Sequence, residues 1–137
     1  MAAWSIGLLL TVGWVSGCSH RSLDVSDAPV RTIVISDAVS PETLYANPGE
    51  EVRWKNNRDN PVRIGFLTMR LLDEVGCEKG IATIFGHLAD LVTIPPGESV
   101  SVCLVRSGDL KYNVWFDADD PKGAISRTAT VRVQHGG

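Results

Sequence analysis

Few side chains in this chain could hold a soft metal or carry thiol chemistry. They are Cys18, Cys77 and Cys103, His20, His87 and His135, and Met69. A trigonal copper centre needs a thiolate, two imidazoles and a weak thioether held rigidly together. Met69, Cys77 and His87 share the stretch 68–90 and could gather around copper(I), but no spacing motif joins them. Met69 sits in an apolar run from Leu67 to Leu72 and reads as core. His87, in Phe85-Gly86-His87-Leu88, reads as a solvated or hydrogen-bonded loop imidazole. His20 falls in a polar, aperiodic stretch that reads as a tether and His135 at the C-terminus, where side chains are seldom fixed.

Carboxylates form the second candidate group. Asp117, Asp119 and Asp120 cluster beside Pro121 and Lys122, with Asp109 upstream. A calcium loop needs oxygen ligands at alternating positions closed by a bidentate Glu, and that pattern is absent. The cluster therefore reads as a solvated turn. No Gly-x-Ser-x-Gly elbow, His-Glu-x-x-His pair or phosphate-cradling glycine loop occurs, so the reading is not an enzyme.

Composition narrows the classes further. The 137 residues suffice for one domain, and 44% hydrophobic against 21% charged residues is enough to build a core. With 13 basic and 16 acidic residues, the net charge of −3 lacks the basic excess of a nucleic-acid binder.

Residues 1–17 carry no charged side chain and are almost wholly apolar from Ile6 to Val15. The run is too short for a stable bilayer span and matches the core of an export signal. It ends in Val15-Ser16-Gly17-Cys18, which resembles the bacterial lipobox. That resemblance implies cleavage before Cys18, diacylglycerol on its thiol and a further acyl chain, such as palmitate, on its new amino group. Several chains make a durable anchor. Ser19, rather than Asp, after the cysteine points to the periplasmic face of the outer membrane over the inner one. The n-region has no Lys or Arg, so a signal without lipidation is the alternative. The expected organisation is a signal over 1–17, a lipidated cysteine and polar tether over 18–29, and a folded domain over 30–137. In an exported chain Cys77 and Cys103 are the only pair left once Cys18 is acylated, and a disulfide is expected over free or metal-bound thiols. Closing their 26-residue separation is worth about 3–4 kcal/mol by chain entropy.

From Arg31 onward apolar residues recur with period two. The rows are Ile33/Ile35, Val52/Trp54, Val62/Ile64/Phe66, Val100/Val102/Leu104, Leu110/Tyr112/Val114/Phe116 and Ala129/Val131/Val133. One face in and one face out is the pattern of antiparallel strands in a sandwich. Turn chemistry separates the rows at Asn47-Pro48-Gly49, Asp59-Asn60-Pro61, Pro95-Pro96-Gly97, Ser107-Gly108-Asp109 and Asp120-Pro121-Lys122-Gly123. Residues 68–90 break the rhythm and read as a short helix or irregular loop insertion.

Three segments in order resemble the cupredoxin family. Pro41-Glu42-Thr43-Leu44 with Pro48-Gly49-Glu50-Glu51-Val52-Arg53-Trp54-Lys55-Asn56 is similar to its P-x-T-L … G-D-x-V-x-W-x-N run. Ile94-Pro95-Pro96-Gly97-Glu98-Ser99 is similar to its I-x-P-G-x-S turn, and Gly108-Asp109-Leu110-Lys111-Tyr112-Asn113-Val114 to the strand that ends in the copper thiolate. The resemblance implies an all-β, Greek-key cupredoxin-like sandwich. It also implies where copper ligands would stand, and this chain departs at each place. Val114 occupies the cysteine position, residues 57–66 hold no His, and residues 115–128 hold neither His nor Met.

The expectation is a periplasmic, lipid-anchored cupredoxin-like protein without type 1 copper and with no other cofactor. It would act as a binding or scaffold module, or as an accessory subunit of an extracytoplasmic complex. The alternative is an atypical copper carrier or electron-transfer protein using His87, Met69 and reduced Cys77. The surface expected to meet a partner is formed by residues 57–63 and 115–122, with Trp115 on the outward register and Asp117, Asp119 and Asp120 able to steer a basic protein. The other reading of Trp115 packs it beneath the 68–90 segment.

Overall fold

Each period-two row forms a strand whose apolar residues meet in one core, because alternate side chains leave a strand on opposite faces. The computed structural model describes residues 29–136, apart from 69, 82, 85 and 86. In chain order the strands are β1 (Val30–Ile35), β2 (Val39–Ser40), β3 (Thr43–Ala46), β4 (Glu51–Asn56), β5 (Val62–Phe66), β6 (Val75–Lys79), β7 (Thr83–Ile84), β8 (His87–Leu88), β9 (Leu91–Ile94), β10 (Ser99–Leu104), β11 (Gly108–Trp115) and β12 (Ala129–Val133). One five-stranded sheet runs β2-β1-β4-β10-β6 and the other β3-β12-β11-β5-β9, with β7-β8 a small hairpin.

Both sheets are mixed. β1 pairs with β4 in parallel, Ile33 opposite Trp54, and β12 pairs with β3 in parallel, Val131 opposite Leu44. The expected antiparallel direction holds for the other pairings of the two sheets. Alternation reports which face is buried and is blind to strand direction, so these two pairings were not readable from the rows.

The 68–90 segment departs from a loop in a second way. Its helical content among the described residues is a single 3-10 turn, Arg70–Leu72, which buries Leu71 and Leu72. β6 then joins the sheet as an edge strand with Cys77 directly opposite Cys103. Four of its five residues are exposed and only Val75 packs partly against the core, so no alternation marks the strand.

At the centre Trp54, Phe66 and Tyr112 meet edge to face with centroids 5.6, 5.7 and 6.3 Å apart. Burial pushes the Tyr112 phenol up to about 12, opposed in part by the neighbouring Trp54 indole. The two polar atoms do not reach hydrogen-bond geometry, and neither has another partner among the described residues. The Asn47-Pro48-Gly49 turn forms as the sequence reads, with Gly49 at φ 87°, a conformation that L side chains rarely adopt.

Candidate functional site

Strand β4 fixes the geometry of the loop pole. Val52 and Trp54 point inward, and the same register carries Asn56 to the rim of the core, where it is fully buried. A buried amide must satisfy both its donor and its acceptor atoms. Asn56 Nδ2 donates to the carbonyls of Asn60 (3.0 Å), Ile94 (3.0 Å) and Pro95 (3.2 Å), and its Oδ1 accepts from the Arg58 amide at 2.9 Å. One side chain thereby ties the 57–61 turn to the end of β9.

Arg58 and Asn60 extend the network to the loop after β11. Arg58 Nε donates to the Phe116 carbonyl (3.1 Å), and its Nη1 donates to the Ser36 carbonyl (2.9 Å). The guanidinium lies 5.4 Å from the centre of the Phe116 ring. Asn60 Nδ2 also reaches the Phe116 carbonyl (2.6 Å), and the Ala118 amide donates to Pro61 (2.9 Å). Four loops thus close on one another through side-chain amides and a guanidinium. Asn56 stood outside the sequence candidates, while Arg58 and Asn60 fell within the expected 57–63 surface without being given a role of their own. The signal for Asn56 was its parity with Val52 and Trp54, a polar residue continuing an inward row.

The 57–63 and 115–122 segments expected to form a surface do come together. Trp115 leaves β11 on the outer face and lies flat over Gly65. A Cβ at Gly65 would fall 2.6 Å from its Cζ3 and 3.4 Å from Leu91 Cδ2. Trp115 is half-buried, lining a hollow of 260 Å³ with Arg63, Leu91, Ala118 and Pro121. Its cover is thus β5 and β9, not the 3-10 turn or β6. Asp117 turns its carboxylate back on its own loop, accepting from the Asp119 amide at 3.0 Å, while Asp119 and Asp120 are exposed. Counting Asp37, Asp59 and Glu98, the pole's loops hold six carboxylates against Arg58, Lys122 and Arg127.

Cys77 and Cys103 are joined in a disulfide with Cα atoms 4.8 Å apart, as expected. Cys18, His20 and Met69 lie outside the described residues, as does the His87 side chain, so their proposed roles have no geometry to weigh. Among the described residues no group of three His, Cys, Asp or Glu side chains could hold a metal ion.

No protein-family model and no curated protein sequence matches the chain. Solved structures do. A reduced tryptophan-to-tyrosine variant of amicyanin aligns over 80% of this chain and 89% of its own, with TM-score 0.53 and 12% identity. A Cu(I) methionine-to-alanine variant of amicyanin gives the same coverage and identity with TM-score 0.51. A purple cupredoxin from Nitrosopumilus maritimus aligns over 76% of this chain and 99% of its own, at 18% identity and TM-score 0.49. The fold is that of the cupredoxins. At such identities the likeness concerns the fold alone.

Val114, where the thiolate would stand, is fully buried and aliphatic, and its amide is taken by the Ser126 hydroxyl (2.9 Å). The loops that would bring imidazole and thioether hold Arg58, Asn60 and Phe116 in mutual contact instead. These residues do not fit a type 1 copper ion, which needs soft donors.

Proposed function

We propose that this chain is an extracytoplasmic, lipid-anchored cupredoxin-like module that binds a protein partner at its loop pole and does so without type 1 copper. The observation that carries the reading is the clasp of Asn56, Arg58, Asn60 and Phe116, which closes the loops that copper would otherwise organise. A pole held by its own hydrogen bonds is preorganised for a partner, which lowers the entropy cost of binding.

The direction of chain entry supports the anchored arrangement. Val30 pairs with Glu51 at the start of β4, while Ile35 pairs with Asn56 at its end. The chain therefore enters the domain at the pole opposite the clasp. A tether over 18–29 reaches at most about 40 Å when extended. An acyl anchor at Cys18 would thus leave the clasped pole facing away from the bilayer. Its six carboxylates favour a basic partner, and steering of that kind weakens with salt.

Two measurements test the reading. Copper titration of the full chain, followed by desalting and absorption spectroscopy, should leave no retained metal and no intense visible thiolate-to-copper band. One copper per chain with such a band would overturn it in favour of a copper carrier. In cells, a photoreactive residue replacing Asp119 should trap one discrete, salt-sensitive adduct that the same residue replacing Lys111 does not. Equal trapping at both positions would remove the pole as the binding surface.

A further inference from the structure

Edge strand β6 depends for its place on unusual support. Among the described residues it pairs only with β10, and apart from Val75 it gives no side chain to the core. Its covalent link, Cys77–Cys103, joins two residues already opposite each other in the ladder. Such a bond connects no separate layers of the sandwich. It lies on the outer face of the sheet, with Cys77 exposed and Cys103 half-buried. Beside it is an open hollow of 470 Å³ whose lining includes Leu72, Asp73, Glu74, Cys77, Glu78 and Leu88. Attack on a disulfide depends on access for a thiolate, and Cys77 is exposed and lines this hollow.

We propose that Cys77–Cys103 is a thiol–disulfide exchange site for a dithiol reductant, and that exchange releases β6 while the sandwich stays folded. A thiolate of the reductant attacks Cys77 Sγ, the sulfur–sulfur bond breaks, and Cys103 leaves with the electron pair and takes up a proton. The second thiol of the reductant then attacks its own sulfur in the mixed disulfide. Cys77 leaves as a thiolate and is protonated, and the reductant departs as a disulfide. Two electrons and two protons pass to the protein. Val75 is the one side chain that β6 lends to the core, so the packing beneath β4, β5 and β11 loses little when β6 opens. This reading is independent of what the loop pole binds.

The test treats the full chain with dithiothreitol in non-denaturing buffer and follows alkylated thiols by mass, with hydrogen exchange resolved by segment. Two further thiols per chain should appear at a rate that doubles when the reductant is doubled. Amide protection should then fall at least tenfold in Val75–Lys79 and persist in Glu51–Asn56 and Gly108–Trp115. A rate independent of reductant would mean that global unfolding gates reduction and would overturn the proposal, as would loss of protection in β4 or β11. The double variant Cys77→Ser, Cys103→Ser should keep the core protection and lose that of β6. If this variant does not fold, the disulfide is a staple of the whole domain and the exchange site falls.

Discussion

Strand β4 is bounded at each pole by a buried polar side chain that gathers a turn, Glu50 just before it and Asn56 at its end, and the two use different chemistry. At the entry pole Glu50 accepts from Arg31 Nε (3.0 Å) and Nη2 (3.4 Å) and from the Asn47 amide (3.0 Å) and Nδ2 (3.1 Å). At the loop pole Asn56 serves three carbonyls and one amide with no charge at all. Charge-assisted bonds are individually stronger, but they depend on protonation. The amides of the clasp do not titrate, and the Arg58 guanidinium keeps its charge throughout. The entry pole can tolerate a titrating lock because nothing there has to meet a partner in the proposed arrangement.

The sharpest way to break the comparison is at Asn56. Replacing it with Ala leaves the buried Ile94 carbonyl without its donor and opens a small void, a loss of about 2–3 kcal/mol. Urea unfolding should show the midpoint shift with an unchanged slope. A loss below about 1 kcal/mol would mean that backbone contacts alone close the pole.

Glu50→Gln is next, at about 1–2 kcal/mol near neutral pH, because the Arg31 guanidinium loses its charged acceptor. The Arg31 hydrogen bond, helped by the two from Asn47 and opposed by burial, holds the Glu50 carboxyl below its ordinary 4.5. A depressed folded pKa means that the unfolded chain binds the proton first. The contribution is therefore complete above the ordinary glutamate range and drains away as pH falls through the lowered value. The parent should lose stability more steeply than Glu50→Gln between about pH 5 and 3. Asp109, held low by Arg132, and Glu51 titrate in both proteins and cancel in the difference. Parallel curves would remove Glu50 as the lock.

Arg58→Ala should cost about 1 kcal/mol, since its bonds to Phe116 and Ser36 are partly exposed. Its larger effect is local. Faster exchange of the Ala118 amide, with protection in β4 unchanged, would show the 116–118 loop loosened on an intact sandwich. Unchanged exchange would assign the loop's order to Asn60 alone.

The contrast between poles also explains what could be read in advance. The inward rows and the turns between them are properties of period and spacing, which a single sequence displays, whereas the meeting of segments 57–63 and 115–122 was implied by the resemblance to cupredoxins. The disulfide was legible because export with acylation of Cys18, as expected from the sequence, would leave two thiols with one partner each. β6 was not, since a strand that buries almost nothing has no pattern to find. The parallel pairings β1·β4 and β12·β3 were hidden because parity is the same in either direction. Arg58 was illegible for another reason: its partner is a backbone carbonyl 58 residues away, and carbonyls carry no sequence signature.

The smallest expected change in stability separates structure from binding at Trp115. Gly65→Ala puts a methyl where Trp115 Cζ3 lies within 2.6 Å, and the ring, being the far end of a side chain, can swing outward. The φ of Gly65 is not in the left-handed region, so the backbone accepts alanine. Stability should fall by about 1 kcal/mol or less, as expected for a surface repacking. Trp115 emission should shift to longer wavelength, while the buried Trp54 keeps its environment. If Trp115 is a partner's anchor, the discrete adduct trapped from position 119 should weaken in this variant although the clasp is untouched. An undiminished adduct beside a red-shifted Trp115 would confine the binding surface to the acidic loop and leave the indole a purely structural cover for Gly65.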